Sequence, residues 1–115
     1  MKETSIKNQI LDYLALRNIF CWLTNTQGNF NQKTKSYYKN PRLLNGVSDI
    51  IGILPDGKLL AIEVKSNETK NKKGDFKNTL SEYQEDFLKR VSALNGVAFM
   101  ARSIDDVDKF LIDYI

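Results

Sequence analysis

The sequence predicts an α/β fold, a three-layer α/β/α sandwich built around a mixed central sheet. Two observations support this prediction. Apolar residues alternate between helical and extended spacing along the chain, and a helix separates two apolar strands near the C-terminus. A helix of that length makes a right-handed crossover, so the two strands it joins should pair in parallel. With 115 residues and 42% hydrophobic content, residues 1–115 should form a single domain.

Three helices are predicted from apolar side chains that recur every three or four residues. The first is expected over residues 4–18, the second over 80–95 with Gly96 as its cap, and the last directly after Ser103 as N-cap. The residues expected on the inward faces are, in helix order, Ile6, Ile10, Tyr13 and Leu14; Leu80, Phe87, Leu88, Val91 and Leu94; and Val107, Phe110, Leu111 and Tyr114.

The strands are predicted at residues 19–23, on both sides of a turn at 55–57, and at 97–101. The Pro-Asp-Gly turn separates two apolar runs and predicts a β-hairpin with a three-residue loop. The register of that hairpin pairs positions whose numbers sum to 112, which places Asp49 directly opposite Glu63. Because side chains alternate between the faces of a strand, Lys65 should share the face of Glu63.

Asp49 and Glu63 are the candidate metal ligands. Carboxylates opposed across an antiparallel pair have β carbons only roughly 4.5–5.5 Å apart and repel each other, so they need a compensating cation. Hard oxygen ligands suit Mg²⁺ or Mn²⁺, which polarise a scissile phosphate and activate a bound water. Lys65 would orient that water or balance charge in the transition state. The alternative, a surface hairpin with scattered charges, does not explain why both acids interrupt apolar runs.

Several classes of protein are excluded by composition. The chain has no histidine, which removes Ser-His-Asp triads and histidine-metal sites, and Cys21 is its single cysteine, expected to fill the core. No stretch approaches the roughly 20 apolar residues of a membrane span, and the N-terminus does not resemble a signal peptide. We therefore expect a cytoplasmic protein with no membrane partner.

Two polar segments without periodicity, residues 25–46 and 67–78, are the candidate DNA-binding surfaces. The net charge is +5 over residues 1–48 and −3 over residues 80–115, so the first part of the chain should face phosphates. Lysines neutralise phosphates and aromatic rings stack on unpaired bases, although a charge-rich loop is often simply solvated. The candidate nucleic-acid-binding residues are Lys33, Lys35, Tyr37, Tyr38, Lys39, Arg42, Lys72 and Lys73.

Three short motifs carry a family resemblance. Gly46-Val47-Ser48-Asp49, Glu63-Val64-Lys65 and Gln84, on a strand, a strand and a helix in that order, resemble the VRR-NUC group of the PD-(D/E)XK nuclease superfamily. Small, stand-alone virus-type members are the most similar. The sequence departs from the family pattern at the residue before the aspartate, where serine replaces the usual proline.

The resemblance implies a restriction-endonuclease-like fold and a DNA endonuclease that depends on Mg²⁺ or Mn²⁺. It implies that Asp49 and Glu63 bind the metal and that Lys65 acts in catalysis. Related small nucleases resolve branched DNA and Holliday junctions, which implies a structured DNA substrate and a homodimer. For a viral chain the implied location is the host cell cytoplasm.

Glu3 and Gln84 are secondary candidates. Glu3 lies on the inward stripe of the first helix, where superfamily members often supply a third metal-binding acid; alternatively it complements the helix dipole. Gln84 faces inward and could hydrogen-bond the attacking water or a phosphate, but Ser81-x-x-Gln84 is also a capping box.

Two other functions stay open at this point. A catalytically silent nucleic-acid-binding or assembly module on the same fold is the main alternative, and it is favoured if Asp49 or Glu63 leaves the shared face. An RNA-processing nuclease is a further one.

Overall fold

The computed structural model describes residues 1–24, 29–31, 36–38, 42–68 and 79–115. Within them the chain forms a small mixed α/β domain with a four-stranded mixed sheet and three helices. In chain order the elements are α1 Glu3–Leu16, β1 Phe20–Leu23, β2 Asn29–Asn31, β3 Ser36–Tyr38, β4 Ile50–Ile53, β5 Leu59–Val64, α2 Glu82–Ala93, β6 Val97–Ala101 and α3 Ile104–Leu111. In this part of the chain no helix is both long and apolar enough to cross a membrane.

The four-stranded sheet has the order β1-β4-β5-β6. β4 pairs antiparallel with both β1 and β5, whereas β5 pairs in parallel with β6. The predicted parallel crossover through α2 is therefore confirmed. The prediction of an irregular segment over residues 25–46 was wrong in part, because β2 and β3 form a separate two-stranded antiparallel pair within it.

The β4–β5 hairpin has the predicted register, with Ile50 opposite Ile62. The N–H of Gly57 donates to the carbonyl of Leu54 at 2.8 Å, and the N–H of Leu54 donates to the carbonyl of Lys58 at 2.9 Å. Gly57 adopts a left-handed conformation, with φ of 89°, which glycine reaches without the clash of a β carbon. Local turn chemistry thus sets the alignment of the two strands.

Apolar side chains form two buried clusters, one on each face of the sheet. The first contains Ile6 of α1 and Leu111 of α3 together with Ile62 and Val64 of β5. The second contains Leu88 and Val91 of α2 with Ile51 and Ala61. Because Glu63 alternates with Ile62 and Val64 along β5, its side chain projects toward the face covered by α2.

The helix ends mostly follow the predicted signals. Ser103 caps α3, with its hydroxyl accepting from the N–H of Asp106. The end of α2 differs: Asn95, with φ of 70°, takes the left-handed position, and the N–H of Gly96 then donates to the carbonyl of Val91 at 2.8 Å. The buried faces of α2 and α3 are also narrower than predicted.

Leu94 and Phe110 are the two predicted inward residues that the structure places outward. Their exposed fractions are 83% and 54%. Phe110 keeps one apolar contact, since its ring stacks on Phe99 with centroids 4.4 Å apart.

Candidate functional site

The hairpin register brings Asp49 and Glu63 together at one end of the sheet. Asp49 directly precedes β4, and continuing the observed register beyond Ile50 and Ile62 puts it opposite Glu63. The backbone N–H of Val64 donates to Oδ2 of Asp49 at 2.9 Å, so the carboxylate reaches across to the neighbouring strand. The carboxyl groups of the two acids are close enough to interact, as the predicted register requires.

Glu63 is almost fully buried, with 2% of its surface exposed. Its Oε1 accepts a hydrogen bond from the Gln84 side-chain amide at 3.0 Å and lies 3.7 Å from the Lys65 ammonium nitrogen. Its Oε2 is buried and, when both acids are ionised, has no hydrogen-bond donor among the described residues. An orphaned carboxylate oxygen in the interior is costly, so this atom is where a ligand would be bound.

The pKa of Glu63 is raised from 4.5 to about 8, and burial is the largest cause. Repulsion from the Asp49 carboxylate and a proton shared between the two carboxyl groups contribute to the rise, Glu3 adds a smaller repulsion, and the Lys65 ammonium opposes it. Without a cation, the structure therefore relieves the repulsion by keeping a proton on Glu63. A bound divalent cation would do the same with the proton removed.

Lys7 belongs to the site, although the sequence analysis did not identify it. Its ammonium nitrogen lies 3.5 Å from Oδ1 of Asp49. The signal available in the sequence is weak: Lys7 follows the buried Ile6 and lies one helical turn after Glu3, which puts it near the edge of the inward stripe. The residue that Lys7 contacts, Asp49 next to β4, is determined by how α1 packs against the sheet.

Gln84 satisfies two groups at once. Its Oε1 accepts from the N–H of Ser81 at 2.9 Å, and its own backbone N–H donates to the Ser81 hydroxyl at 3.2 Å, which completes the predicted capping box. Its side-chain amide nitrogen donates to Glu63. Gln84 therefore positions Glu63 from the first turn of α2.

Glu3 is the first residue of α1 and is partly exposed. Its carboxylate is near enough to Glu63 to raise the pKa of that residue, yet it is not assembled with Asp49 and Glu63 into a common cluster. Its role as a metal ligand stays a prediction.

Thr24 and Gly46, which lie on either side of residues 25–45, are both held in place. The N–H of Thr24 donates to the carbonyl of Asp49 at 2.9 Å, and its hydroxyl donates to the carbonyl of Ser48 at 2.5 Å. At the other end, Gly46 packs so closely on α2 that a β carbon would lie 2.3 Å from the carbonyl carbon of Tyr83.

Most of the predicted nucleic-acid-binding side chains fall outside the described part of the chain. Tyr37 and Tyr38 belong to β3, whose backbone alone is described, and Arg42 is exposed at the start of the next described stretch. The residues outside the described ranges are Lys33, Lys35, Lys39, Lys72 and Lys73.

The two carboxylates of the site are enough ligands for Mg²⁺, the metal that the motif implies. In the described ranges no group of three or more Asp, Glu, His or Cys side chains is placed to hold a metal ion. Mg²⁺ nevertheless binds in many sites through one or two carboxylates, with water and substrate phosphate completing its octahedron. Asp49 and the orphaned Oε2 of Glu63 fit that smaller requirement.

Comparisons with known proteins do not assign this chain to a family: no family model matches it, and no curated protein or solved structure is significantly similar to it. The resemblance to VRR-NUC nucleases therefore rests on the motif residues alone. The geometry of the site does not depend on that resemblance. Two carboxyl groups and two lysines lie close together at one end of the sheet, and one buried carboxylate oxygen, Oε2 of Glu63, has no hydrogen-bond donor in the described part of the chain.

Proposed function

We propose that this protein is a DNA endonuclease of the VRR-NUC type that depends on Mg²⁺ or Mn²⁺. The observation that carries the proposal is the unpartnered, buried Oε2 of Glu63 beside Asp49. Branched or otherwise structured DNA is the proposed substrate, and a homodimer in the cytoplasm the proposed form. The helices on both faces of the sheet support a three-layer, restriction-endonuclease-like sandwich.

Each residue of the site has a distinct task in this proposal. Asp49 and Glu63 would hold the cation, which when bound polarises the scissile phosphate and acidifies a water. Gln84 holds Oε1 of Glu63 and so leaves Oε2 free for coordination. Lys65, already beside Glu63, would stabilise the negative charge that develops on the phosphate in the transition state.

The DNA assignment rests on charge and on the anchoring of the basic segment. Residues 1–48 carry a net charge of +5. The segment that contains Lys33, Lys35 and Lys39 begins after Thr24, whose N–H donates to the carbonyl of Asp49, and ends at Gly46, three residues before Asp49 in the sequence. A basic segment tethered at a phosphodiesterase site is suited to neutralising the backbone phosphates of the substrate.

Cleavage of supercoiled plasmid and of a synthetic four-way junction in Mg²⁺, Mn²⁺ or EDTA tests the proposal. We expect cleavage only with a divalent cation, and a decrease of at least roughly 10² in rate for Glu63→Gln, Asp49→Asn and Lys65→Ala. Glu85→Gln, which changes an exposed carboxylate of the Glu85–Lys89 surface pair, is the matched control and should keep full activity. Cleavage in EDTA, or an active Glu63→Gln, would contradict the mechanism.

A catalytically silent nucleic-acid-binding module on the same fold is the second candidate. It is favoured by one observation: each acid already has a lysine within 4 Å, so the charges of the site balance without a metal when both acids are ionised. In that case the protein would bind DNA without cutting it, and Mn²⁺ would not change its melting temperature. The nuclease proposal expects both cleavage and a Mn²⁺-dependent rise in melting temperature.

A further inference from the structure

The two acids of the site are each paired with a lysine from a different element. Lys65 lies 3.7 Å from Glu63 and comes from the same strand end, whereas Lys7 lies 3.5 Å from Asp49 and comes from α1. The Lys65 side chain is 11% exposed and the Lys7 side chain 24%. Lys7 is therefore the more accessible of the two to a molecule arriving from solvent.

The Lys7–Asp49 pair is not needed to hold either residue in place. Ile6, Ile10 and Leu14 already attach α1 to the sheet through buried apolar contacts. The other oxygen of Asp49 is fixed by the backbone N–H of Val64. A partly exposed ion pair adds little stability, so a structural role does not account for this lysine.

We propose that Lys7 is a phosphate-binding residue whose ammonium group is held on Asp49 until a divalent cation takes that carboxylate. This inference rests on the proposed function. Once released, Lys7 remains within a side chain's length of the metal ligands and is free to bind a non-bridging oxygen of the DNA phosphate. The first half of the proposal is that Lys7 competes with the cation for Asp49, and the second half is that the released Lys7 contacts a DNA phosphate.

Charge balance is the physical reason for such an exchange. With both acids ionised, two carboxylates and two lysines sum to zero, and a divalent cation brings the site to +2. A phosphodiester carries one negative charge, and a hydroxide nucleophile, formed when a water has lost its proton to solvent, brings the transition state to two. Without Lys7 the loaded site would carry only +1, one charge short of that transition state.

Isothermal titration calorimetry with Mn²⁺ alone tests the first half. Removing the competing ammonium group in Lys7→Met should tighten Mn²⁺ binding by roughly two- to fivefold, the range expected for a partly exposed ion pair. Lys89→Met removes a lysine from the exposed pair with Glu85 and should leave the Mn²⁺ affinity unchanged. Lys7→Gln serves as a second neutral variant, and circular dichroism checks that each variant is folded.

Binding of a duplex oligonucleotide, followed by fluorescence anisotropy in Ca²⁺ with the DNA checked for integrity on a gel, tests the second half. Lys7→Met should bind more weakly, and the slope of log K against log salt should fall in magnitude by about 0.9, the value for one phosphate that is no longer neutralised. Lys7→Arg keeps the charge and should restore the slope. Lys89→Met is again the control.

The outcomes separate this inference from the nuclease proposal. If the wild type binds Mn²⁺ but Lys7→Met changes neither the affinity nor the salt slope, the role of Lys7 is overturned and the nuclease proposal stands. A changed Mn²⁺ affinity with an unchanged slope also overturns it, because Lys7 would then compete with the cation without contacting DNA. If the wild type itself binds no Mn²⁺, the proposed function fails and the inference fails with it.

Discussion

The backbone N–H of Val64 donates to Oδ2 of Asp49 across the β4–β5 pair, at a distance of 2.9 Å. This bond fixes the Asp49 carboxylate on the face of the sheet where the neighbouring Glu63 projects. A carboxylate held so near a second, buried carboxyl group is a conflict that the fold alone does not resolve. A proton, a lysine or a metal ion has to balance the negative charge of the two acids, and the site can accommodate each of them.

The proton held by Glu63 predicts a pH dependence for the metal-free protein. Because the folded-state pKa of about 8 exceeds the ordinary value of 4.5, the folded protein binds a proton that the unfolded chain releases between these values. The contribution of Glu63 to stability is therefore fully present below pH 4.5 and is lost as the pH rises toward 8. Its slope is at most about 1.4 kcal/mol per pH unit.

Urea unfolding in EDTA between about pH 5 and pH 8.5 measures this effect. The difference in free energy of unfolding between the wild type and Glu63→Gln isolates Glu63 from the other titrating groups. We expect the wild type to lose stability relative to the variant as the pH rises. A constant difference across this range would show that Glu63 titrates normally.

Neutralising either acid should stabilise the metal-free protein by relieving the repulsion, but the two gains should differ. Glu63→Gln removes the buried charge and keeps an oxygen for the Gln84 amide, so we expect about 0.5–2 kcal/mol of added stability in EDTA near pH 8.5. Asp49→Asn also relieves the repulsion but leaves the buried Glu63 charge in place, so it should gain less, although each variant loses one lysine pair. Chemical denaturation of both variants measures the difference, and a larger gain for Asp49→Asn would contradict the charge assignment.

The alignment of the two acids was predictable because it depends on local chemistry. The turn around Gly57 sets the register, and the two-residue period of a strand then decides which side chains share a face. The burial of Ile62 and Val64 on the opposite face follows from the same alternation. None of these features depends on distant parts of the chain.

The remaining features depend on packing between distant elements. The contact between Lys7 and Asp49 is set by the placement of α1 on the sheet, which no local pattern specifies. The same holds for Leu94 and Phe110, because a helical period indicates the centre of a buried face but not its width. The end of α2 is a local exception: Asn95 takes the left-handed position predicted for glycine, since asparagine also tolerates that conformation.

The double role of Gln84 predicts a difference between two cap variants. Ser81→Ala and Gln84→Ala each break the capping box, and each should cost about 0.5–2 kcal/mol in free energy of unfolding. Only Gln84→Ala also releases Oε1 of Glu63, so it alone should lower Mn²⁺ affinity or cleavage rate, by roughly 10- to 100-fold. Titration calorimetry and plasmid cleavage measure these effects; equal losses in both variants would reduce Gln84 to a helix cap.

The basic segment between Thr24 and Gly46 predicts a salt-dependent interaction with DNA. The combined change of Lys33, Lys35 and Lys39 to alanine should weaken binding and reduce the slope of log K against log salt by about 0.9 for each phosphate that these lysines neutralise. Circular dichroism and urea unfolding should show an unchanged fold. Changing Lys58, Lys89 and Lys109, which lie in other parts of the sequence, controls for net charge. An unchanged slope in the first variant would remove this segment from the DNA surface.

The close approach of Gly46 to α2 predicts that this glycine sets the distance between Asp49 and Gln84. Gly46 and Gly57 both have positive φ, 80° and 89°, so alanine at either position meets a backbone strain of about 1–2 kcal/mol. At Gly57 an added β carbon meets nothing within 4 Å, whereas at Gly46 it would lie 2.3 Å from backbone atoms of Tyr83.

Comparing the two alanine variants therefore separates the steric effect from the conformational one. Gly46→Ala should lose more free energy of unfolding than Gly57→Ala, with an added cost of about 1–3 kcal/mol, typical of forcing atoms into a packed site. It should also lower cleavage activity under conditions where the protein remains folded, because the strand that leads from Asp49 would move relative to α2. Gly57→Ala, at the far end of the hairpin, should leave activity unchanged. Equal stability losses and equal activities would show that α2 yields to the added methyl group, and Gly46 would then have no part in arranging the site.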